Sequence, residues 1–153
     1  MDLILWRHAE ALEAVEGGDD LARPLTPRGE KQATRMAAWL GRQLPENTRI
    51  WVSPARRTEQ TAIALERKYK ISEELAPGAC VAQLLERVQW PHARGTVLVV
   101  GHQPTLGQTI AQLLGLNAPE CAVKKGAVWW LRNRERDALV ETIIVTVQSP
   151  DIL

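Results

Sequence analysis

The chain has 153 residues, of which 45% are hydrophobic and 24% charged, and this predicts one globular domain spanning residues 1–153. A formal net charge of +1 excludes a general role in binding nucleic acid or a membrane surface, because both need an excess or a stripe of basic side chains. Cys80 and Cys121 form neither a C-x-x-C pair nor a metal-ligand spacing, so we expect free thiols, no metal and no cofactor.

The start of the chain predicts a strand, a loop and a helix. Residues 3–6 form a short apolar run that is typical of a buried strand. Neither this run nor any later one is long enough for a signal peptide or a membrane span, so the expected location is the cytoplasm. Residues 9–24 are polar and contain glycine, which indicates a loop. Thr26 followed by Pro27 predicts a helix start, and the apolar spacing extends this helix over 27–43.

The rest of the chain continues the alternation of strands and helices. The predicted elements are a strand at 49–52, a helix at about 55–69 capped by Ser53, a connector at 71–78, a helix at 79–89, a strand at 96–100, a helix at 104–115, and strands near 127–132 and 139–147. The charged stretch RNRERD predicts a solvated turn between the last two strands. This order predicts a three-layer α/β fold, with a mostly parallel central sheet, helices on both faces and an antiparallel hairpin at the C-terminal end.

Basic or imidazole residues follow three of the predicted strands. Arg7 and His8 follow the first, Arg56 and Arg57 open the helix after the second, and His102 follows the third. Because ligands bind outside the carboxyl ends of parallel strands, we expect these side chains to converge at one edge of the sheet. Arginine presents forked donors that match phosphate oxygens, and nearby helix N-termini add backbone donors. The sequence therefore predicts a pocket for a tetrahedral dianion.

Four segments resemble a known family when they are taken together. Each one alone is typical of a solvated loop or a capped helix, but LWRHAEA, RPLTPRG, SPARRTEQTA and VLVVGHQPTL occur in the order of the motifs of the histidine phosphatase superfamily, which includes the phosphoglycerate mutases. The short length and the RPLTPRGEKQA segment are similar to the SixA-type phosphohistidine phosphatases. The resemblance extends from residue 3 to about 115, and it implies a phosphoglycerate mutase-like fold.

The resemblance also implies roles for five residues. His8 resembles the family's nucleophile, and Arg7 resembles the phosphate clamp beside it. Arg57, four residues after the serine of SPARR, resembles the second clamp, and His102 resembles the second catalytic histidine. Arg23, in the RPLT segment, is implied to reach the phosphate. These roles imply covalent phosphoryl transfer, in which neutral His8 attacks phosphorus and water then hydrolyses the phosphohistidine. The arginines take the place of a divalent cation, so we expect a metal-independent phosphatase.

The leaving group determines the expected substrate. An alkoxide leaving group usually requires a general acid, which many superfamily members supply from the segment after the second helix. Here that segment reads LAPGACVAQ and contains no carboxylate. Four carboxylates elsewhere are candidates for the general acid: Asp19 and Asp20 in the first loop, and Glu73 and Glu74 just before the segment. A solvated surface position is the simpler interpretation of all four. The absence of an acid fits a phosphoramidate, because the imidazole of a phosphohistidine leaves with its own proton.

The expected activity is therefore removal of phosphate from phosphohistidine on a phosphorelay or phosphocarrier protein. The short chain leaves no room for large lid insertions, so an open pocket would admit a histidine on a protein surface. A small-molecule phosphomonoesterase that uses a loop carboxylate is the nearest alternative, and a mutase fits less well. A non-catalytic phosphate-binding domain is the alternative from another class.

We expect Trp6 to pack in the core, since side chains alternate along a strand and Arg7 faces the other way.

Overall fold

Six strands, four α-helices and three short 3-10 helices build the chain, and the computed structural model describes all 153 residues. The strands are β1 (Asp2–Arg7), β2 (Arg49–Val52), β3 (Lys70–Ile71), β4 (Thr96–Gly101), β5 (Val128–Arg136) and β6 (Leu139–Gln148). The α-helices are α1 (Pro27–Gln43), α2 (Arg56–Ile63), α3 (Val81–Val88) and α4 (Thr105–Leu114). The 3-10 helices cover Asp20–Ala22, Glu73–Leu75 and Pro150–Ile152. No helix has the combination of length and apolar character that crossing a membrane requires.

The strands form a single mixed sheet in the order β3-β2-β4-β1-β5-β6. Strands β3, β2, β4 and β1 run parallel to one another, whereas β5 is antiparallel to β1, and β6 is antiparallel to β5. The predicted mostly parallel sheet with a C-terminal antiparallel hairpin is therefore confirmed. The parallel strands β2, β4 and β1 are neighbours, so their carboxyl ends lie side by side.

Helices cover both faces of the sheet, as predicted, because alternate residues of each central strand point to opposite sides. Ile4 and Trp6 of β1 belong to a cluster of 14 buried residues that includes Leu40 of α1. Leu5 belongs to a second cluster of 13 buried residues that includes Ile110 of α4. Trp6 is fully buried and donates a hydrogen bond from its indole nitrogen to a backbone carbonyl, so it packs in the core as expected.

Two predicted boundaries are wrong for physical reasons. Helix α2 ends at Ile63 rather than near residue 69, because Glu66 adopts a left-handed backbone with φ of +56°. The charged stretch RNRERD is mostly strand, and the turn is confined to Asp137 and Ala138, whose φ angles are +52° and +63°. Left-handed angles at both central residues are what a two-residue hairpin requires. Arg134 lies in the ladder between β5 and β6 opposite Glu141, and its Nε donates to that carboxylate at 2.7 Å.

The N-terminus of α1 is packed directly against the loop that follows β1. The hydroxyl of Thr26 accepts a hydrogen bond from the amide of Gly29 and donates to the carboxylate of Glu10. A side chain at Gly29 would collide with the backbone carbonyl of Glu10. The TPRG segment therefore holds the helix close to the loop, with glycine at the point of closest approach.

Candidate active site

The side chains of the five predicted site residues line one cavity of about 190 Å³. Arg7 ends β1 and His8 follows it, while Arg57 lies in the first turn of α2 and His102 directly follows β4. Arg23 enters from the loop between β1 and α1. The sheet order places the ends of β1, β4 and β2 next to one another, so residues far apart in sequence meet at one edge. A wider groove of about 590 Å³ lies beside the start of β2, but neither histidine nor carboxylate side chains line it.

Polar residues of α2 and α1 fix the loop that carries His8. The hydroxyl of Thr61 accepts a hydrogen bond from the amide of Ala9 at 3.1 Å, directly after the histidine. Gln60 accepts one from the amide of Leu25 at 2.7 Å, and Gln32 accepts one from the amide of Glu10 at 2.9 Å. The Gln-Thr pair of SPARRTEQT therefore has a structural role, which is to attach both ends of the loop to helix α2.

His8 is held with one defined ring nitrogen available. Its side chain is buried, and Nδ1 lies 2.7 Å from the carbonyl oxygen of Ala9, an acceptor that requires the proton on Nδ1. The other nitrogen, Nε2, then carries a lone pair. Burial, with the positive charges of Arg57 and Arg7, lowers the pKa of His8 to about 4. The imidazole is therefore neutral at pH 7, which is the form that acts as a nucleophile.

His102 is also neutral, and a serine holds it. Burial, followed by the proximity of His8, lowers the pKa of His102 to about 3. Its Nε2 lies 2.6 Å from the hydroxyl oxygen of Ser53, which is fully buried. The expectation that Ser53 caps a helix is wrong, because the N-cap of α2 is Ala55 and Ser53 meets its amide only at 3.4 Å. The short contact of Ser53 is with the histidine, 49 residues away in sequence.

Asp20 holds two of the site's arginines. Its carboxylate accepts from Arg57 at 3.2 Å and from Arg23 at 2.9 Å, and its carbonyl accepts from Arg57 at 2.8 Å. Burial opposes ionisation of this carboxyl, but the hydrogen bond from Arg23 and the charge of Arg57 lower its pKa below the usual value. Arg7 is held separately, because its Nη1 donates to the carbonyl of Val123 at 2.7 Å. Each guanidinium is thus fixed by the protein itself.

Three buried side-chain nitrogens of the cavity residues have no hydrogen-bond partner within the chain. They are Nε of Arg7, Nε of Arg57 and Nδ1 of His102. An unpartnered buried polar group costs about 1–3 kcal/mol, so a native structure rarely retains several of them in one place without a role. No group of three or more His, Cys, Asp or Glu side chains is arranged to hold a metal ion, and both cysteines are free.

None of the four acidic residues singled out in the sequence lines the cavity. Asp19 caps the 3-10 helix of residues 20–22 by accepting from the amide of Leu21. The carboxylate of Asp20 forms ion pairs with Arg23 and Arg57. Glu73 opens another 3-10 helix. Glu74 accepts from Arg87 at 2.6 Å, and this bond, with a second from a serine hydroxyl, lowers its pKa to about 2.

The cavity lining includes three further polar residues that the sequence did not indicate, namely Glu13, Gln103 and Lys125. Glu13 is exposed and supplies the only carboxylate of the lining. The only sequence feature that indicates its place in the site is its position five residues after His8. Gln103 has a structural role, because its amide bonds to the carbonyl of Cys121 and to the amide of Gly107.

Lys125 belongs to a loop that is attached to the site through its backbone. The amide of Gly126 donates to the carbonyl of His8 at 3.0 Å, and the carbonyl of Val123 accepts from Arg7. These contacts bring Lys125 into the lining of the cavity. No sequence motif marks this loop, because its position depends on backbone contacts that any residue makes.

The chain is similar to known proteins in sequence and in fold. The sequence profile of the histidine phosphatase superfamily (branch 1) matches residues 3–79. Phosphohistidine phosphatase SixA of Escherichia coli (strain K12) is 33% identical over 121 residues, which cover 74% of each chain. The SixA homolog of Haemophilus influenzae is 31% identical over 134 residues, covering 78% of this chain and 80% of that protein. The solved structure of the protein histidine phosphatase SixA complexed with tungstate superposes with a TM-score of 0.81 over 99% of both chains, at 24% identity.

Proposed function

Since the chain belongs to branch 1 of the histidine phosphatase superfamily and is of the SixA type, we propose that it removes phosphate from phosphohistidine on another protein, through a covalent intermediate on His8. The observation that carries this proposal is the set of three buried, unpartnered donors on Arg7, Arg57 and His102 around a neutral histidine. A phosphoryl group supplies the acceptor oxygens that these donors lack.

Binding of the phosphoryl group uses the fixed cations. Arg7 and Arg57 donate to its oxygens, and Arg23 adds positive charge at the rim of the cavity. Because the protein already holds all three guanidinium groups in place, little side-chain ordering accompanies binding. The same groups stabilise the charge that spreads over the equatorial oxygens in the transition state. This concentration of positive charge supports a reaction that needs no metal ion.

The chemistry proceeds in two displacements at phosphorus. The lone pair on Nε2 of His8 attacks in line, the bond from phosphorus to the substrate nitrogen breaks, and the electron pair returns to the leaving imidazole. The carbonyl of Ala9 accepts from Nδ1 of His8 and stabilises the positive charge that the ring gains. Water then attacks phosphorus, the bond to Nε2 breaks, and inorganic phosphate leaves with His8 regenerated.

Hydrolysis of a small phosphomonoester is a second candidate function, and Glu13 favours it. The carboxyl group of Glu13 lines the cavity and makes no ion pair within the chain, so in its acid form it would protonate a leaving alkoxide. A phosphohistidine substrate does not need this step, because the second ring nitrogen of its imidazole can carry the proton before the reaction. The two candidates therefore differ in whether they depend on Glu13.

Substrate choice tests the proposal. A phosphohistidine-carrying protein and an alkyl phosphate are supplied at equal concentration to wild type and to His8→Ala, with and without a chelator. The proposal predicts preference for phosphohistidine, no effect of the chelator and no turnover by His8→Ala. Faster hydrolysis of the alkyl phosphate would assign the enzyme to small phosphomonoesters. Phosphate binding without turnover of either substrate would identify a binding domain.

A further inference from the structure

The contact between Ser53 and His102 has a chemical consequence, because only one arrangement of protons satisfies both groups. The serine hydroxyl is fully buried, and Nε2 of His102 is the only acceptor within hydrogen-bond distance of it. The amide of Ala55 approaches the same oxygen at 3.4 Å, so the oxygen already serves as an acceptor there. The hydroxyl proton therefore points at Nε2.

This direction determines which nitrogen of His102 carries the ring proton. Burial keeps the ring neutral at pH 7, and a neutral imidazole has one donor nitrogen and one acceptor nitrogen. If Nε2 accepts from Ser53, the proton lies on Nδ1, the buried nitrogen that has no partner. The opposite tautomer would leave the hydroxyl proton of Ser53 without an acceptor, and it would place a lone pair on Nδ1 where negatively charged oxygens are expected.

We propose that Ser53 is a positioning residue that fixes His102 in the tautomer with its proton on Nδ1, so that this N–H donates to a phosphoryl oxygen. The inference rests on the proposed function for the identity of the anion, but the tautomer itself does not depend on the substrate. Ser53 never touches the phosphoryl group; it acts through the ring of His102. Its place is fixed by the backbone, because its amide donates to the carbonyl of Val100 at the end of β4.

The chain offers a matched control for removal of the serine hydroxyl. Ser72 is also buried and also makes a 2.6 Å hydrogen bond, in this case to Glu74, and it does not line the cavity. Ser53→Ala removes the hydroxyl that faces His102, Ser53→Thr retains a hydroxyl, and Ser72→Ala removes one elsewhere. Thermal unfolding of all three variants shows which of them are folded before any other measurement is interpreted.

The test is ¹⁵N NMR of the histidine rings, without ligand and with inorganic phosphate. In wild type and Ser72→Ala we expect protonated Nδ1 and unprotonated Nε2 on His102, with a shift of the Nδ1–H resonance when phosphate is added. In Ser53→Ala we expect a mixture of tautomers and about tenfold weaker phosphate binding, and Ser53→Thr should recover the wild-type tautomer if it folds. The rate of phosphohistidine hydrolysis should fall about 10- to 100-fold in Ser53→Ala, a typical cost of losing a group that orients a functional ligand.

A proton on Nε2 of His102 in the wild type would overturn the inference, and so would an unchanged tautomer in Ser53→Ala. If the tautomer and phosphate binding behave as expected but no phosphohistidine is hydrolysed, the role of Ser53 holds and the proposed substrate is wrong. The NMR readout separates the two failures, because a serine with a purely structural role would lower stability without changing the ring protons of His102.

Discussion

The imidazole rings of His8 and His102 lie with their centroids 5.3 Å apart, tilted by 56° to each other. Both are buried, and the guanidinium groups of Arg7 and Arg57 surround them, so protonation of either ring would add a positive charge to a site that already concentrates several. The protein therefore keeps both histidines neutral. In the proposed mechanism, His8 supplies the attacking lone pair and His102 donates a hydrogen bond as a neutral ring.

The depressed pKa values of the two histidines predict how stability depends on pH. Above about 6.5 both rings are neutral in the folded and unfolded states, whereas below it the unfolded chain binds protons that the folded protein excludes. The free energy of unfolding should therefore fall as pH drops from about 6.5, down to about 4 for His8 and about 3 for His102. Each histidine contributes at most about 1.4 kcal/mol per pH unit. Urea unfolding at pH 7, 6 and 5 measures this slope, and His8→Ala should reduce it; an equal slope in that variant would contradict the assignment.

Replacement of Asp20 should strengthen anion binding. Its carboxylate neutralises part of the charge of Arg57 and Arg23, so Asp20→Asn leaves the site more positive while the carbonyl contact to Arg57 stays. We expect inorganic phosphate to bind about fivefold more tightly, equivalent to about 1 kcal/mol for a half-exposed ion pair. Titration calorimetry at low salt measures the difference. Weaker binding would show that the carboxylate matters more for holding the arginines than for its charge.

Glu13→Gln should distinguish between substrate classes. Loss of a general acid lowers the rate by about 10²–10⁴-fold, but only for a leaving group that needs a proton. We therefore expect any alkyl phosphate hydrolysis to fall by about 100-fold or more, and phosphohistidine hydrolysis to change by less than about threefold. Glu16→Gln is the matched control, since Glu16 lies in the same loop and does not line the cavity. Equal losses on both substrates would mean that Glu13 binds or orients the phosphoryl group.

Gly29→Ala should lower stability because its side chain meets the carbonyl of Glu10. We expect a loss of about 1–3 kcal/mol, the usual cost of forcing atoms into a closely packed site. Gly41 lies in the same helix with open space around it, so Gly41→Ala should instead stabilise by about 0.5–1 kcal/mol. Denaturant unfolding of both variants checks the pair, and a tolerated alanine at Gly29 would show that the loop after β1 moves freely.

The parts of the fold that local patterns determine were predictable. Thr26 and Pro27 mark the start of α1 because capping depends on neighbouring residues, and the apolar runs of β1 and β4 mark buried strands. The convergence of His8, Arg57 and His102 followed from the parallel sheet alone. Local sequence patterns do not predict structure that depends on a distant partner. The charged residues around Arg134 predict a turn, but Arg134 lies in β5 opposite Glu141.

The details of the site that sequence could not give are contacts between separate segments. Ser53 and His102 belong to different motifs, and only the adjacency of β2 and β4 brings them within 2.6 Å. Asp20 reaches Arg57 because the loop after β1 folds back over α2, a path that no periodicity describes. Glu13 and Lys125 line the cavity for the same reason, because distant segments place their loops. Side chains of α1 and α2 hold the loop after β1, and a backbone hydrogen bond to His8 holds the loop before β5.

The proposed mechanism requires His8 to carry the phosphoryl group between substrate and water. Rapid mixing of the protein with a ³²P-labelled phosphohistidine protein, followed by alkaline quench and mass spectrometry of peptides, measures this directly. We expect one labelled site, on His8, which appears and decays at the rate of turnover and is missing in His8→Ala. Hydrolysis that proceeds with no label on His8, or that continues at wild-type rate in His8→Ala, would contradict it.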